Sequence, residues 1–496
     1  MKSYQRAFIL ATNDVAAHMR LAVKVGRAAV HRGVASGADD WFNIPLPAIP
    51  PVSAAADHVA RLHTQQIRAL WTTSRTADVV VLSERILAVA IASNNAELVL
   101  SMQLSLATVL HLLSRYGEAE RYLQAIDVRS LPPDHKILCM YYRVCGFIHS
   151  TAGNADLAFA SLARALHHAE EDEDQYGCVS VLITHAVCAF SLARIDLAAE
   201  LFLKALAAAR DSNQAWNVAY ISLEYARVLS YQGDWHMAHA YVNQAAALEN
   251  PPPVVLEALA EIGIPIAIEC DDAHLLRRCA NEDALAFAFR SGEPPRLGPV
   301  ASSFARYFHK VGSSGRAQSV LARALGSVTI ADQNYDLPLA VAEFGATRCF
   351  ARARELLRVR TLLPSADIAI AHLHYFDALV LRRDGNVEGC AQEAALAATC
   401  FRKIHWTSHE RAAASLCEPA TPEAGPKAVD VQTALLPFRL SERQNSVAEL
   451  VIAGLSNPEV AERLSIATRT VESHMTAILR RAGLRSRYQL LEMFHR

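Results

Sequence analysis

The sequence lacks the short motifs that mark most enzymes and metalloproteins. Its ten cysteines form no C-x-x-C pair, which excludes a zinc-ribbon spacing and gives no disulfide framework. It contains no G-x-x-x-x-G-K-[ST] phosphate loop, no G-x-S-x-G nucleophile elbow and no H-E-x-x-H zinc motif. The paired histidines His167 and His168 have no second cluster at ligand spacing. We therefore predict a protein that is not an enzyme, with no catalytic residue, no cofactor and no metal.

The sequence also lacks a charge surplus and a long apolar run. Its 48 basic and 50 acidic side chains give a net charge of −2, which excludes a uniformly basic nucleic-acid-binding chain. No stretch of about 18 apolar residues is present, so no membrane helix is expected. The apolar segment after Lys2 and Arg6 is too short for a secretory signal. We expect a soluble, cytoplasmic protein without membrane contact.

Alternating apolar and polar residues, which are typical of strands, are scarce. The sequence instead has the apolar spacing of helices, and this helical pattern repeats along the chain. Alanines recur 40 residues apart in two columns, and an apolar column lies between them. The columns are Ala158, Ala198 and Ala238; Ala165, Ala205 and Ala245; and Leu162, Phe202 and Val242. Small residues at fixed columns let paired helices approach closely, and a fixed period of this size is typical of an α-solenoid.

Two segments with four prolines each, residues 37–53 and 417–437, interrupt the helical pattern. They predict a 1–54 N-terminal helical segment and loop, a 55–416 repeat domain, a 417–437 linker and a 438–496 C-terminal domain. The repeat units, especially YQGDWHMAHAYVNQAAAL at 231–248, resemble tetratricopeptide repeats (TPRs). Because their period exceeds the roughly 34 residues of that family, we call them TPR-like.

The last segment predicts short helices joined by tight turns. Ser441 is placed to cap a first helix, and Ser456 or Asn457 a second. In a third helix from about 468 to 481, Val471, Met475 and Ile478 share one face, and polar residues occupy the opposite face. Two short helices of which the second has a polar outer face are typical of a helix-turn-helix.

This segment resembles the LuxR-type (NarL/GerE-like) DNA-binding domain over about 55 residues. The matching positions are Gly454-Leu455-Ser456-Asn457, Val460-Ala461, Leu464, Ile466, Thr470-Val471, His474, Gly483-Leu484 and Ser486-Arg487. The resemblance implies an all-α chain with a four-helix DNA-binding domain, duplex DNA and RNA polymerase as partners, and a homodimer on DNA. The whole chain resembles the large ATP-dependent LuxR-family regulators without their ATPase domain.

The resemblance also implies which side chains meet DNA. Glu472, Ser473 and Thr476 occupy positions that face bases. The positions expected at the phosphate backbone or its flank are Arg469, Thr470, His474, Arg480, Arg481 and Arg487; Thr470 and His474 are equally compatible with structural roles. The sequence departs from the family in having Gln444 in place of glutamate, in having Ala467 where a capping serine is usual, so that Thr468 is expected to cap, and in having Glu472 where a basic residue is common.

Two functions stay open at this point. In the first, a bacterial transcription regulator binds duplex DNA, and its repeat domain senses an unknown small molecule or protein on its concave surface. In the second, the chain is a TPR-like protein-interaction adaptor whose C-terminal domain no longer binds DNA. We interpret the basic stretch from Arg348 to Arg360 as a solvated helix face; the alternative is a site for an anionic effector or an internal clamp on the acidic run at 170–174.

Overall fold

The computed structural model describes residues 76–92, 94, 96–291, 294–329, 335–362, 366–417, 440–452, 457–464 and 466–482. The predicted segment 1–54 and residues 418–437 of the predicted linker lie outside these ranges. Every regular element among the described residues is a helix, which confirms the all-α prediction. None of the described helices has the length and hydropathy that a bilayer crossing requires.

The chain divides into two compact units, and the main boundary falls after Cys417. The α-helices of the first unit are α1 (Thr76–Ala92), α2 (Ala96–Leu112), α3 (Tyr116–Gln124), α4 (His135–Thr151), α5 (Ala155–Glu171), α6 (Gln175–Ser191), α7 (Ile195–Asp211), α8 (Ala215–Gln232), α9 (Trp235–Ala246), α10 (Pro253–Ala258), α11 (Ile264–Glu269), α12 (Ala273–Cys279), α13 (Glu282–Ser291), α14 (Pro294–Lys310), α15 (Ser314–Ser327), α16 (Asp336–Phe344), α17 (Phe350–Arg360), α18 (Ala366–Arg383), α19 (Val387–Lys403) and α20 (Thr407–Cys417). Short 3₁₀ turns lie at Val128–Ser130 and Thr347–Cys349, and a π-helix at Leu259–Gly263 joins α10 to α11.

Helix pairs repeat with the predicted period. The first helices α4, α6 and α8 begin at His135, Gln175 and Ala215, and therefore lie 40 residues apart. The second helices α5, α7 and α9 follow with the same spacing. This regular pairing of antiparallel helices confirms the TPR-like architecture that the alanine columns predict.

The predicted columns form the interface within each pair. Ala158, Ala198 and Ala238 are fully buried, as are Leu162 and Val242 between the helices. In the first pair, Gly146 provides the necessary space: a Cβ there would lie only 2.5 Å from Cγ of Leu162. The small-residue columns thus exist because larger side chains would push the paired helices apart.

The turns that join the helices have a shared backbone conformation. Gly153, Ala193 and Gly233 end the first helices of successive pairs with φ values of 75°, 57° and 85°. Glu173 and Asn213 end the second helices with φ values of 51° and 55°. A left-handed residue is the usual way to terminate an α-helix, and here it has the same register in each unit.

The regular pattern changes after residue 250, where a proline interrupts the helical hydrogen bonds. Pro265 has no N–H group with which to bond the carbonyl of Glu261. The hydroxyl of Ser303 in α14 donates to that carbonyl instead, at 2.7 Å. The segment 253–269 therefore stays helical through a π-helical stretch, and α14 packs against it.

The last helix of the first compact unit packs against helices near the middle of that unit. Trp406, just before α20, stacks on Phe190 with ring centroids 5.8 Å apart and meets the ring of Tyr231 edge-on at 4.6 Å. Helix α20 also packs against α8. Because Phe190 and Trp406 are far apart in sequence, this contact closes the unit on itself.

The expectation of a solvated basic face at 348–360 is wrong for one residue. Arg360 is only 2% exposed, and its guanidinium lies over the ring of Tyr335 at 5.0 Å. Arg354 makes a bidentate pair with Asp377 of α18, at 2.7 Å for each bond. In α17, therefore, Arg360 packs inside the protein, whereas the other arginines of this stretch are exposed.

Candidate nucleic-acid interface

The C-terminal unit is built around three described helices. They are α21 (Glu442–Ile452), α22 (Asn457–Leu464) and α23 (Thr468–Ala482). Val447, Val451, Val460, Val471 and Ile478 are fully buried and form one core. The spacing of apolar residues in α23 places Val471 and Ile478 against α21 and α22, so the opposite face of α23 points outwards.

Helix α21 begins with a reciprocal capping box. The backbone N–H of Ser441 donates to Oε1 of Gln444 at 3.1 Å, and the backbone N–H of Gln444 donates to Oγ of Ser441 at 3.3 Å. Glutamine serves this motif as well as glutamate does, because an oxygen acceptor is all that the turn requires. The departure from the family at Gln444 therefore leaves the start of α21 capped.

Two arginines connect the helices of this unit. Arg443 of α21 donates from Nη2 to the carbonyl of Leu464, the last residue of α22, at 2.7 Å. Arg481 of α23 donates from Nη1 to Oε1 of Gln444 at 3.0 Å. These contacts fix the ends of α22 and α23 on α21. The role of Gln444 was not predicted, although the S-x-x-Q pattern at 441–444 is the signature of a capping box.

The start of α23 has no side-chain cap among the described residues. The carbonyl of Ala467 accepts hydrogen bonds from the backbone N–H groups of Thr470 and Val471, at 2.8 and 3.3 Å. The hydroxyl of Thr468 bonds to none of the described residues. The expectation that Thr468 replaces the usual serine cap is therefore wrong, because Thr468 is already the first residue of α23 and Ala467 precedes it at the capping position.

The outer face of α23 carries the three side chains predicted to face bases. Glu472, Ser473 and Thr476 are all exposed. The hydroxyl of Thr476 donates to the carbonyl of Glu472 at 2.9 Å, so its proton is used inside the helix. Its methyl group and its oxygen lone pairs remain for an outside partner.

The residues predicted at the phosphate backbone are distributed around this face. Arg469, Thr470, Arg480 and Arg481 are exposed, and His474 is half-buried. Arg487 lies outside the described residues, as does the predicted fourth helix. Among the described residues, then, the predicted base-facing group stands between arginines at both ends of α23, an arrangement suited to a polyanion. No group of three or more described His, Cys, Asp or Glu side chains could hold a metal ion.

The family model "Bacterial regulatory proteins, luxR family" matches residues 439–494. The oxygen regulatory protein NreC from Staphylococcus aureus strain JH9 is 40% identical over 57 residues, and NreC from strain JH1 gives the same figures. The alignment covers 11% of this chain and 26% of each relative, so the chain matches about a quarter of the length of these curated proteins.

Solved helical-repeat structures resemble the chain more broadly but more distantly. The Rap protein complexed with competence and sporulation factor is 14% identical, with a TM-score of 0.38 over 78% of this chain and 98% of that one. A STAND protein with a tetratricopeptide-repeat sensor from Pyrococcus horikoshii is 12% identical, with a TM-score of 0.33 over 72% of this chain and 51% of that one. Yeast Tom70 is 13% identical, with a TM-score of 0.28 over 83% and 99%.

The protein thus combines a TPR-like helical-repeat unit with a C-terminal helix-turn-helix domain of a DNA-binding class. That C-terminal domain is a LuxR-family domain.

Proposed function

We propose that this protein is a cytoplasmic bacterial transcription regulator. The observation that carries the proposal is the exposed polar face of α23, with Glu472, Ser473 and Thr476 at its centre and arginines at its ends. A helix with an apolar inner face and such an outer face fits the major groove of duplex DNA. The match of the LuxR family model to residues 439–494 supports the same reading.

We assign base contacts to Glu472, Ser473 and Thr476. A carboxylate accepts hydrogen bonds but cannot donate them, so Glu472 favours the N4 amino group of cytosine. The methyl group of Thr476 favours the methyl group of thymine. The phosphate backbone or its flank is assigned to Arg469, Thr470, His474, Arg480, Arg481 and Arg487, of which Arg481 also holds α23 to α21.

The remaining parts of the proposal concern the assembly. The protein binds DNA as a homodimer and contacts RNA polymerase. Its repeat domain, residues 55–416, binds a small-molecule or protein effector, and the 417–437 linker connects it to the DNA-binding domain at 438–496. Regulation then consists of an effector-dependent change in DNA affinity.

A second candidate is a protein-interaction adaptor whose C-terminal domain no longer binds DNA. Glu472 is exposed in the middle of the outer face of α23, where it repels phosphate. Arg481, which is predicted to contact a phosphate, already donates a hydrogen bond to Gln444. These two observations keep the adaptor as the alternative.

Selection from a random duplex library with the full-length protein separates the two functions. The regulator predicts enrichment of an inverted repeat, with an affinity that falls steeply as salt is added, because bound phosphates release counterions. An Arg469→Glu, Arg480→Glu variant is the matched control and should enrich nothing. Absence of enrichment by the folded wild-type protein at low salt would favour the adaptor.

A further inference from the structure

Two cysteines lie opposite each other in the last two helices of the first compact unit. Helix α19 runs from Val387 to Lys403, and α20 follows from Thr407 to Cys417. The connection between them is short and the two helices pack against each other, so the start of α19 lies beside the end of α20. Cys390 is in the first turn of α19, and Cys417 is the last residue of α20. The hairpin therefore brings these two cysteines together.

Each sulfur contacts the backbone next to the other cysteine. The thiol of Cys390 donates to the carbonyl of Leu416 at 3.8 Å, and Sγ of Cys417 lies 3.6 Å from the carbonyl oxygen of Ala391. In a trans peptide a carbonyl oxygen lies about 3 Å from the next Cα. The sulfur of Cys390 is therefore within about 7 Å of the Cα of Cys417.

A bond between the two sulfurs needs only a small movement of the backbone. Both cysteines are free thiols in this structure. A disulfide joins residues whose Cα atoms are about 4.4–6.8 Å apart. The last turn of an α-helix has carbonyl groups without intrahelical donors, and helix ends fray readily. Cys417 occupies such a turn, so the end of α20 is the part that can adjust.

The two thiols differ in their access to solvent. Cys390 is only 4% exposed, whereas Cys417 is half-buried. An oxidant from solvent therefore meets Cys417 first, and Cys390 is placed to attack the oxidised sulfur from inside the protein. Burial raises the pKa of the Cys390 thiol, and the guanidinium of Arg382 opposes this effect. An accessible thiol beside a second, resolving thiol is the usual arrangement of a redox-active pair.

Other cysteines of the repeat unit are less suited to this chemistry. Burial raises the pKa of Cys188 and of Cys279 to about 12, which makes the reactive thiolate scarce. Cys139 and Cys178 are also neighbours, but burial raises the pKa of both thiols, and the Asp174 carboxylate adds to the rise. A mild oxidant should therefore leave these four cysteines reduced.

We propose that Cys390 and Cys417 form a reversible disulfide when the protein meets hydrogen peroxide. The Cys417 thiolate attacks the peroxide: an S–O bond forms, the O–O bond breaks, and the leaving oxygen takes up the thiol proton and departs as water. The Cys390 thiol then attacks the sulfur of the sulfenic acid, so that the S–S bond forms and the S–O bond breaks. The hydroxyl leaves with the Cys390 proton as a second water. The two thiols lose two electrons in total, and a thiol reductant restores them.

The disulfide holds the end of α20 against α19. Helix α20 also packs against α8, and Trp406 just before it stacks on Phe190. Oxidation therefore strengthens the contact that closes the repeat unit on itself. It also fixes the residue at which the predicted 417–437 linker begins. The proposal goes beyond the proposed function, since the disulfide forms whether or not the protein binds DNA.

Peptide mapping of the full-length protein tests the proposal. The reduced protein is treated with a small molar excess of hydrogen peroxide, alkylated, and digested with trypsin without reductant. We expect a cross-link between peptides 384–402 and 412–427 that disappears on reduction and is lost in Cys417→Ser and Cys390→Ala. Cys400 lies in the same peptide as Cys390, so Cys400→Ser is the matched control and should keep the cross-link.

Hydrogen exchange measures the structural effect of the bond. Oxidation should slow exchange in peptides from α20 about tenfold in wild type and leave it unchanged in Cys417→Ser. Circular dichroism verifies that each variant is folded, and Cys417→Ser serves alone if Cys390→Ala is not.

Three results would overturn the proposal. They are a cross-link that persists in Cys390→Ala, a bond that joins two chains instead of one, and oxidation of Cys417 to the sulfinic acid without any cross-link. Unchanged exchange in the cross-linked protein would overturn the effect on α20. None of these measurements uses DNA, so their failure is distinguishable from a failure of the proposed function.

Discussion

Arg481 in α23 donates a hydrogen bond of 3.0 Å from Nη1 to Oε1 of Gln444 in α21. The same Gln444 oxygen caps α21 by accepting from the backbone N–H of Ser441. The Gln444 side chain thus links the start of α21 to the end of α23. The same Gln444 oxygen therefore caps α21 and holds Arg481 in position.

Gln444→Ala should destabilise the C-terminal unit by about 1 kcal/mol, because it removes half of the capping box. Gln444→Glu keeps an acceptor oxygen and gains charge attraction to Arg481, so we expect no loss. Hydrogen exchange of peptides from α21 and α23 measures the effect in the full chain. Equal exchange in wild type and Gln444→Ala would contradict the structural role of this side chain.

Arg480→Ala and Arg481→Ala should differ, although the two residues are adjacent. Arg480 is exposed and bonds to none of the described residues, so its loss should weaken all duplexes alike and lower the salt slope by about one. Arg481→Ala should also accelerate exchange in α21, since Gln444 loses its partner. Affinity measured at several salt concentrations, together with hydrogen exchange, separates the two effects.

Substitutions at Thr476 should change sequence preference through the methyl group. The threonine hydroxyl already donates to the carbonyl of Glu472, so a partner outside the helix meets mainly the methyl. Thr476→Val keeps that methyl and should retain the preference, whereas Thr476→Ser should lose about 1 kcal/mol of discrimination for thymine. Parallel duplex selection with both variants is the measurement. A shifted preference in Thr476→Val alone would assign the contact to the hydroxyl.

Glu173→Gly should stabilise the repeat unit by about 0.5–1 kcal/mol. Glu173 is exposed and has a φ of 51°, a conformation that glycine adopts without the steric cost of a Cβ. Glu170→Gly is the matched control: it makes the same chemical change inside α5, where glycine costs about 1 kcal/mol. Thermal unfolding followed by circular dichroism should therefore shift in opposite directions for the two variants.

Acid should destabilise the repeat unit through His372. Burial lowers the pKa of its imidazole to about 4, so the unfolded chain, near its ordinary 6.5, binds the proton more readily. This contribution to stability is complete above pH 6.5 and is lost as the pH falls towards 4. Between pH 7 and pH 5 we expect a loss of about 2 kcal/mol.

His372→Leu should flatten this pH dependence, because leucine binds no proton in either state. Burial also holds the pKa of His409 below its ordinary value, so part of the dependence should remain in the variant. Chemical denaturation at pH 5 and pH 7, followed by circular dichroism, gives the comparison. An unchanged dependence in His372→Leu would show that other groups cause it.

The repeat architecture was predictable because its signal is local and periodic. Alanine recurs at Ala158, Ala198 and Ala238 because only a small side chain fits between paired helices. A larger side chain at any of these positions would push its helix pair apart. The left-handed turns at Gly153 and Gly233 have an equally local signal. Sequence alone was sufficient to place these elements.

Contacts between distant residues had no such signal. Nothing in the sequence shows that Trp406 stacks on Phe190, or that Arg227 and Glu261 meet across two helix pairs. The spacing of residues shows which side chains share one face of a helix. Which other helix that face contacts depends on how the solenoid curves. On the outer face of α23, the exposure of Glu472 followed from the apolar spacing of the helix, whereas the bond between Arg481 and Gln444 did not.

The identical turns of successive pairs have a genetic consequence. Because α4, α6 and α8 begin 40 residues apart and the intervening turns share their register, any in-frame duplication or deletion of 40 codons within 135–246 adds or removes one complete module. Each new junction would resemble an existing one. Recombination can therefore lengthen or shorten the repeat without a new turn sequence, but a module gained or lost between Phe190 and Tyr231 would also change the contacts of Trp406 with both rings.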